Sequence, residues 1–242
     1  MTNASPVGFF DSGIGGLCIR DAFARICPEE STVYIADSAH CPYGNRPADE
    51  ILRLAREHSR RLRDEFGCKM VVVACNTATA AAIDVLRVES PDFPFVGVEP
   101  AIKPAALNSR TGIVGVLATA GTFDGRLYRE TKSKFANNVK VIATVADEFV
   151  TLVENGDLSS PEAENTVRER ISPLLDAGCD RIVLGCTHFP HLKSLIEKVC
   201  RKRAEVVDST EAVAERARFL LDEMHLNAVG NPDPFHLLVR TK

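Results

Sequence analysis

Short apolar runs alternate with amphipathic stretches along the whole chain. The apolar runs predict strands at residues 7–10, 33–37, 70–75, 95–98, 111–118, 139–145, 181–186 and 205–207. Apolar residues at helical spacing predict helices at residues 17–26, 48–66, 79–87, 122–135, 148–155, 161–177, 191–202 and 210–224. Regular alternation of strands and helices is typical of the α/β class with doubly wound, mainly parallel sheets.

Two of the predicted strands end in a cysteine within closely similar sequences. The first reads GCKMVVVACNT from Gly67 to Thr77, and the second reads GCDRIVLGCTH from Gly178 to His188. Apolar runs of this kind are typical of buried parallel strands, and open α/β sheets bind ligands beyond the carboxyl ends of their strands. A lone cysteine at such a position is often only a small buried hydrophobe. The repetition, with hydrogen-bonding residues directly after both thiols, favours a functional pair.

A second similarity indicates an internal duplication. The segment VGFFDS at 7–12 resembles VGVLAT at 114–119, and each is followed by a helical pattern. We therefore expect two similar domains, one formed by residues 1–97 plus 208–242 and the other by residues 98–207. The proline-rich segment 90–104 is the expected crossover between them. A cleft between the two domains is the expected ligand site.

Composition and charge exclude several classes of protein. Apolar residues make up 45% of the chain and charged residues 26%, as in ordinary globular proteins. A net charge of −4 provides no general attraction to nucleic acid or to an anionic membrane. Residues 1–6 do not resemble an export signal, and eight cysteines without CxxC spacing suggest reduced thiols, so we expect a cytoplasmic protein. Cys186, His188 and His191 could contribute to a zinc site, but no second ligand cluster lies nearby in sequence, and we expect no metal.

The glycine-rich loop after the first predicted strand can bind an anion. It reads DSGIGG from Asp11 to Gly16 and leads into a helix, whose first amides favour negative charge. A dinucleotide site is the alternative, with Asp37 placed near a ribose. However, the glycine spacing is not that of the dinucleotide fingerprint, and Asp11 would repel a pyrophosphate. A substrate with a carboxylate and an ammonium group fits better.

Four motifs in order along the chain resemble one known family. They are DSGIGG at 11–16, PYG at 42–44, ACNTATA at 74–80 and GCTHFP at 185–190. PYG alone is also consistent with an ordinary turn. Together the motifs resemble the glutamate racemase branch of the aspartate/glutamate racemase superfamily, which needs no cofactor. The similarity extends from about residue 7 to about residue 220 without a large insertion.

The resemblance implies an activity, a site and an assembly. It implies interconversion of L- and D-glutamate without a cofactor, supply of D-glutamate for peptidoglycan, and a homodimer. Cys75 and Cys186 would be the catalytic thiols, with Asp11 assisting the first and His188 the second. Substrate contacts are implied for Asp11, Ser12, Pro42, Tyr43, Gly44, Asn76, Thr77, Thr119, Thr122, Thr187 and His188. Thr119 and Thr122 come from the equivalent loop of the second half.

The chain also departs from the family pattern at three places. The family often has Cys-Pro where this chain has Asp147-Glu148, and a proline at the position of Thr151. This change affects the helix that would present Glu154 as a further catalytic residue. His40-Cys41 stands before PYG in place of the usual Arg-Phe.

A two-thiol site suits racemisation, because one group removes the α-proton and the other delivers a proton to the opposite face. Such groups must lie within about 3–3.5 Å of the reacting carbon, which predicts two sulfurs about 6–9 Å apart. Three alternatives stay open on the residues alone: a racemase of another amino acid such as aspartate, a decarboxylase, and a binding protein without catalysis. The presence of both cysteines disfavours a decarboxylase, which would need one thiol. The missing export signal and the thiols at both strand ends disfavour a binding protein.

Overall fold

The computed structural model describes residues 3–135 and 139–242. Nine strands occur in this part of the chain, with bounds β1 Val7–Asp11, β2 Thr32–Ala36, β3 Met70–Val73, β4 Phe95–Gly97, β5 Ile113–Ala118, β6 Lys140–Val145, β7 Arg181–Leu184, β8 Glu205–Val207 and β9 His236–Arg240. The described helices are α1 Leu17–Ile26, α2 Ala48–Arg60, α3 Asn76–Glu89, α4 Ile102–Asn108, α5 Ala120–Phe123, α6 Arg126–Phe135, α7 Glu148–Glu154, α8 Pro161–Asp176, α9 Lys193–Cys200 and α10 Thr210–Glu223. The α/β class predicted from the sequence is therefore confirmed.

The strands form two parallel sheets with the same topology. The first has the order β4-β3-β1-β2-β9 and the second the order β6-β5-β7-β8. Read from the other edge, the second sheet is β8-β7-β5-β6, which matches β4-β3-β1-β2 of the first. Strands β3 and β7 are thus equivalent, and each lies beside the central strand of its sheet. The two cysteines that follow them occupy corresponding places at the carboxyl edges of the two sheets.

Alternate side chains of each central strand fill cores on both faces of its sheet. Phe9 packs with α1 and α10 on one face, whereas Phe10 packs with α2 and α3 on the other. In the second sheet, Leu117 belongs to the core with α7, α8 and α9, and Val116 to the core with α4 and α6. Both central strands are therefore buried on both faces, as expected for parallel sheets covered by helices.

The end of the chain returns to the first sheet. Helix α10 packs its buried face, including Val213 and Leu221, into the core that contains Phe9. Strand β9 then pairs in parallel with β2 and forms the edge of that sheet. We retain the division into residues 1–97 plus 208–242 and residues 98–207 as a proposal.

Several element bounds differ from the predictions. Helix α3 begins at Asn76 rather than at residue 79, because the Cys75 sulfur accepts the Ala78 amide and caps the helix one turn earlier. Helix α4 and strand β9 were not predicted. The first is only seven residues long, and the second is largely exposed, so neither carries a clear apolar pattern. The predicted start of α8 is confirmed, since Ser160 Oγ accepts the Ala163 amide at 3.0 Å.

Two buried charged residues join distant segments. Lys69 is fully buried, and its ammonium lies 2.7 Å from Glu30 Oε2 and 2.6 Å from the carbonyl of Asn3. The other Glu30 oxygen accepts the Ala228 amide at 2.7 Å. In the second sheet, Asp180 accepts hydrogen bonds from the segment before β5.

None of the helices within residues 3–135 and 139–242 combines the length and the apolar character that crossing a membrane requires.

Candidate active site

The first thiol lies where the glycine loop meets the start of α3. Cys75 follows β3 as the residue that caps α3, and its sulfur accepts the Ala78 amide at 3.5 Å. The same sulfur lies 4.0 Å from Ser12 Oγ, and the nearby Asp11 carboxylate raises the pKa of the Cys75 thiol. Asp11 is itself fixed by the Gly16 amide, which donates to Oδ2 at 2.9 Å. Asp11 and Cys75 are therefore held together by the ends of the paired strands β1 and β3.

Burial sets the protonation of this first pair. It raises the pKa of the Cys75 thiol well above its ordinary value, and the negative charges of Asp11 and Cys186 raise that pKa further. Burial also raises the pKa of Asp11, although the positive charge of His188 and the Gly16 amide oppose that rise. The environment thus favours the neutral thiol of Cys75 when no substrate is bound.

The second thiol lies beside an imidazole and a carboxylate. Cys186 follows β7, and its sulfur is 3.8 Å from His188 Nδ1. His188 Nε2 lies 2.6 Å from Glu154 Oε1 at the end of α7. Burial alone would lower the pKa of His188, but hydrogen bonds with Cys186, Cys41 and Glu154 raise it well above its ordinary value. For Glu154, burial would raise the pKa, yet the hydrogen bonds with His188 and the Ile14 amide lower it. The arrangement therefore favours an imidazolium that is paired with a carboxylate and lies beside Cys186.

Glu154 also connects the two halves of the molecule. Its Oε1 accepts the amide of Ile14, from the glycine loop of the first sheet, at 2.8 Å. This approach requires glycine on both sides of Ile14, because a Cβ at Gly13 would overlap Glu154 and a Cβ at Gly15 would overlap the His188 ring. The glycines of the loop therefore bring its backbone against the second-sheet acid and base.

Three threonine hydroxyls form a second contact between the halves. Thr77 Oγ1 of α3 lies 2.9 Å from Thr119 Oγ1, and Thr119 Oγ1 lies 3.1 Å from Thr122 Oγ1. All three residues are buried. Gly44 packs against Thr119 closely enough that an added Cβ would lie 2.9 Å from its Cβ. The structure thus brings Thr119 and Thr122, the two residues expected from the second-half loop, next to Thr77 of the first half.

The remaining polar residues next to the thiols are also buried. Asn76 donates weakly to the carbonyl of Val98, at 3.5 Å. Thr187 Oγ1 is buried and has no hydrogen-bond partner among the described residues. The first backbone amides of a helix have no acceptor within the helix, so the start of α3 also offers free donors at residues 76 and 77. A buried polar side chain therefore follows each thiol directly along the chain, Asn76 after Cys75 and Thr187 after Cys186.

The buried carboxylate of Asp37 holds the PYG segment in place. The sequence did not identify Asp37 as part of the site. Tyr43 is buried, and its hydroxyl donates to Asp37 Oδ2 at 2.6 Å. The Thr241 hydroxyl also donates a hydrogen bond to Asp37 Oδ1 at 2.6 Å. His58 Nε2 lies 3.0 Å from Asp37 Oδ2. Burial raises the pKa of Asp37, but the hydrogen bonds from His58, Thr241 and Tyr43 lower it well below its ordinary value. Because the Tyr43 hydroxyl is engaged, residues 42–44 face the site mainly through their backbone.

Among the described residues, one group has the composition and spacing of a metal site. Cys41, Glu154 and His188 each place a ligand atom within 4.8 Å of the other two. His191, which the sequence suggested as a companion of Cys186 and His188, instead lies with Nε2 2.9 Å from the Gly15 carbonyl. Cys41 was noted only as a departure from the family pattern, and its distance in sequence from the other two residues hid this cluster.

A cavity of about 690 Å³ opens between the two halves next to the threonine cluster. It is lined by Gly44 and Arg46 from the first half, by Thr77 and the small residues Ala80 and Ala81 of α3, and by residues of α5 and α6. Arg126 of α6 lies at this opening and forms an ion pair with Asp84 of α3. The cavity therefore reaches the threonine cluster at Thr77 from the surface, and neither Cys75 nor Cys186 is among the residues that line it.

Comparison with known proteins identifies many relatives of one kind. A sequence model of the Asp/Glu/hydantoin racemase family matches residues 17–217. The glutamate racemase of Pseudomonas putida is 43% identical over 227 residues, which cover 94% of this chain and 85% of that protein. The structure of glutamate racemase isoform RacE1 from Bacillus anthracis superposes with a TM-score of 0.86 at 32% identity, covering 99% of this chain and 90% of that one. The Francisella tularensis glutamate racemase, solved with D-glutamate, has a TM-score of 0.86 at 29% identity, covering 99% of this chain and 89% of that one.

Proposed function

The chain belongs to the Asp/Glu/hydantoin racemase family, and from this premise we propose that it is a glutamate racemase that interconverts L- and D-glutamate. The observation that carries the proposal is the pair of cysteines after the equivalent strands β3 and β7, each coupled to its own carboxylate or imidazole. The curated relatives and the superposed structures named above are glutamate racemases, which favours glutamate over aspartate as the substrate.

The two thiols would act as an acid and a base on opposite faces of the α-carbon. One sulfur, as thiolate, takes the α-proton and becomes a thiol, and the pair of electrons stays on the substrate as a carbanion. The other sulfur, as thiol, gives its proton to the opposite face and becomes a thiolate. Substrate held between them needs contacts of about 3–3.5 Å on each side. The predicted separation of the sulfurs, about 6–9 Å, stays a prediction.

The two thiols have different neighbours before substrate binds. Burial and the charge of Asp11 favour the thiol at Cys75, whereas the Cys186 sulfur lies 3.8 Å from His188 Nδ1. By resemblance to the family, Cys186 serves the L-enantiomer and Cys75 the D-enantiomer.

The carbanion requires stabilisation by the protein, because the mechanism uses no cofactor. Donors for the substrate's α-carboxylate would be the backbone amides at Asn76 and Thr77 and the buried hydroxyl of Thr187. Fixed donors of this kind stabilise the charge that develops on the carboxylate in the transition state. The negative charge of Asp11 would attract the substrate ammonium group.

The outer end of the substrate would lie toward the opening between the halves. The threonine hydroxyls at residues 77, 119 and 122 and the backbone of residues 42–44 would hold the side-chain carboxylate. Their position beside the cavity of about 690 Å³ supports this orientation. Glu154 would hold His188 in place rather than contact the substrate.

We further propose a role and an assembly from the family. D-glutamate made by this reaction would supply peptidoglycan synthesis and thus cell-wall biogenesis and cell shape, in the cytoplasm. The functional unit would be a homodimer, with no nucleic acid, membrane or metal as an obligatory partner.

The direct test is to incubate the purified protein with L-glutamate and with L-aspartate and to follow optical rotation without added cofactor. We expect the optical rotation to fall to zero with L-glutamate and to stay unchanged with L-aspartate. Rotation that falls only with aspartate would favour the alternative substrate, and no change with either amino acid would contradict the proposed racemisation.

A further inference from the structure

Cys41 is a third cysteine near the catalytic residues, and the proposed mechanism leaves it unused. It belongs to the loop that follows β2, yet its side chain packs against the core of the second sheet. Its thiol is half-buried, and the sulfur lies within 4.8 Å of a ring nitrogen of His188 and of a carboxylate oxygen of Glu154. Cys41 is therefore a thiol of the first half that lies against the acid/base residues of the second.

We propose that Cys41, Glu154 and His188 form a binding site for a thiophilic divalent cation, with Zn²⁺ as the ligand, and that the bound ion inhibits the enzyme. Their ligand atoms, one sulfur, one carboxylate oxygen and one imidazole nitrogen, all lie within 4.8 Å of one another. These are the three ligand types that zinc prefers, and three protein ligands with one open position is a common zinc arrangement. The inhibitory part of this inference rests on the proposed function, whereas the binding part does not.

The geometry requires only small movements to accept the ion. Zinc sits about 2.0–2.3 Å from such ligands, which places the ligand atoms of a tetrahedral site about 3.3–3.8 Å apart. Here the three ligand atoms lie within 4.8 Å of one another. The proton between His188 Nε2 and Glu154 Oε1, which are 2.6 Å apart, would be displaced by the metal. The Glu154 side chain is 21% exposed, which provides a path from solvent to the site.

Bound zinc would stop catalysis by removing a proton partner and by joining the two halves. His188 could no longer hold a positive charge beside Cys186, from which it is separated by 3.8 Å. Cys41 comes from the first-sheet half and the other two ligands from the second, so the ion would also link the two halves next to the catalytic residues.

The test is calorimetric titration of Zn²⁺ into chelator-treated protein, in the wild type, in Cys41→Ser and in Cys27→Ser as the matched control. Cys27 is also half-buried, but it lies at the end of α1. We expect one zinc ion per wild-type chain, a loss of affinity of about tenfold or more in Cys41→Ser, and no change in Cys27→Ser. The thiolate-to-metal band of bound Co²⁺ should disappear in Cys41→Ser only. Zinc should inhibit racemisation by the wild type at concentrations at least about tenfold lower than for Cys41→Ser.

Two further variants make the result decisive. Cys186→Ala should keep its affinity for zinc, because its sulfur is not a ligand, and Glu154→Gln should lose affinity even if Cys41→Ser fails to fold. Wild-type zinc affinity in Cys41→Ser would show that Cys41 is not a ligand and would overturn the proposal. Loss of zinc binding only in Cys186→Ala would assign the metal to a catalytic thiol and would also overturn it. Failure of the wild type to bind zinc would also overturn it. An inactive wild type that still binds zinc through Cys41 would contradict the proposed function instead.

Discussion

Glu154 allows a quantitative test of how the second thiol is controlled. Its Oε1 accepts the Ile14 amide at 2.8 Å and lies 2.6 Å from His188 Nε2. Glu154→Gln keeps an acceptor oxygen for both groups but removes the negative charge. Glu154→Ala removes the acceptor as well. The two substitutions therefore separate the contribution of the charge from that of the hydrogen bond.

The expected losses follow from the strength of these bonds. A hydrogen bond to a charged group contributes about 1.5–3 kcal/mol and a neutral one about 0.5–1.5 kcal/mol, a difference of about 1–1.5 kcal/mol. Since about 1.36 kcal/mol corresponds to tenfold in rate, Glu154→Gln should lower kcat about 5- to 15-fold. Glu154→Ala loses the whole charged bond, and kcat should fall about 10- to 150-fold.

The assay is racemisation of each enantiomer, followed by circular dichroism across a range of pH. Without its anionic partner, His188 has a lower pKa, so the alkaline limb of the pH profile should move to lower pH in Glu154→Gln. A purely structural role would not shift this limb. Glu197→Gln, on the exposed face of α9, is the control and should behave as the wild type. Rates within about twofold of wild type in Glu154→Ala, with an unmoved pH profile, would refute this role.

Two further predictions concern stability. Lys69→Met leaves Glu30 buried without its cation and should reduce the free energy of unfolding, measured by urea titration, by about 3–5 kcal/mol. Lys198→Met, at an exposed lysine, is the control. A smaller loss of stability in Lys69→Met than in Lys198→Met would contradict the role of the buried pair. Burial would raise the pKa of Asp180, but hydrogen bonds from Ser109, Arg110 and Thr111 lower it overall. The ionised carboxylate therefore stabilises the folded protein above a pH of about 3.9, and this contribution is lost as pH falls through the folded-state pKa. Asp180→Asn should therefore cost about 1.5–3 kcal/mol at pH 7, and the difference should shrink below about pH 4; a constant difference would contradict this.

Local patterns were enough to predict the fold class and most of its elements. Apolar runs and helix caps are encoded within a few residues, and the repeat around Cys75 and Cys186 indicated equivalent strands before the sheet order was known. The prediction failed where the pattern was weak, as in the exposed strand β9 and the short helix α4. It also misplaced the start of α3, because a cysteine sulfur rather than a hydroxyl or carboxylate caps it.

Contacts between distant segments could not be predicted from the pattern. The repeat places Lys69 and Asp180 at the same position, yet one forms a buried ion pair and the other receives hydrogen bonds from a loop. Cys41 approaches His188 only because the loop after β2 packs against the core of the second sheet. Such partners depend on how two sheets pack against each other, which a single sequence does not specify.

Exchange of the α-hydrogen in deuterated water tests the two-thiol mechanism most directly. NMR would follow the α-proton signal of each enantiomer with Cys75→Ala and with Cys186→Ala. We predict that neither variant racemises glutamate, that Cys186→Ala exchanges only D-glutamate, and that Cys75→Ala exchanges only L-glutamate, both slowly. Swapped preferences would exchange the roles of the two cysteines. Interconversion of the enantiomers by either variant at near the wild-type rate would contradict the mechanism.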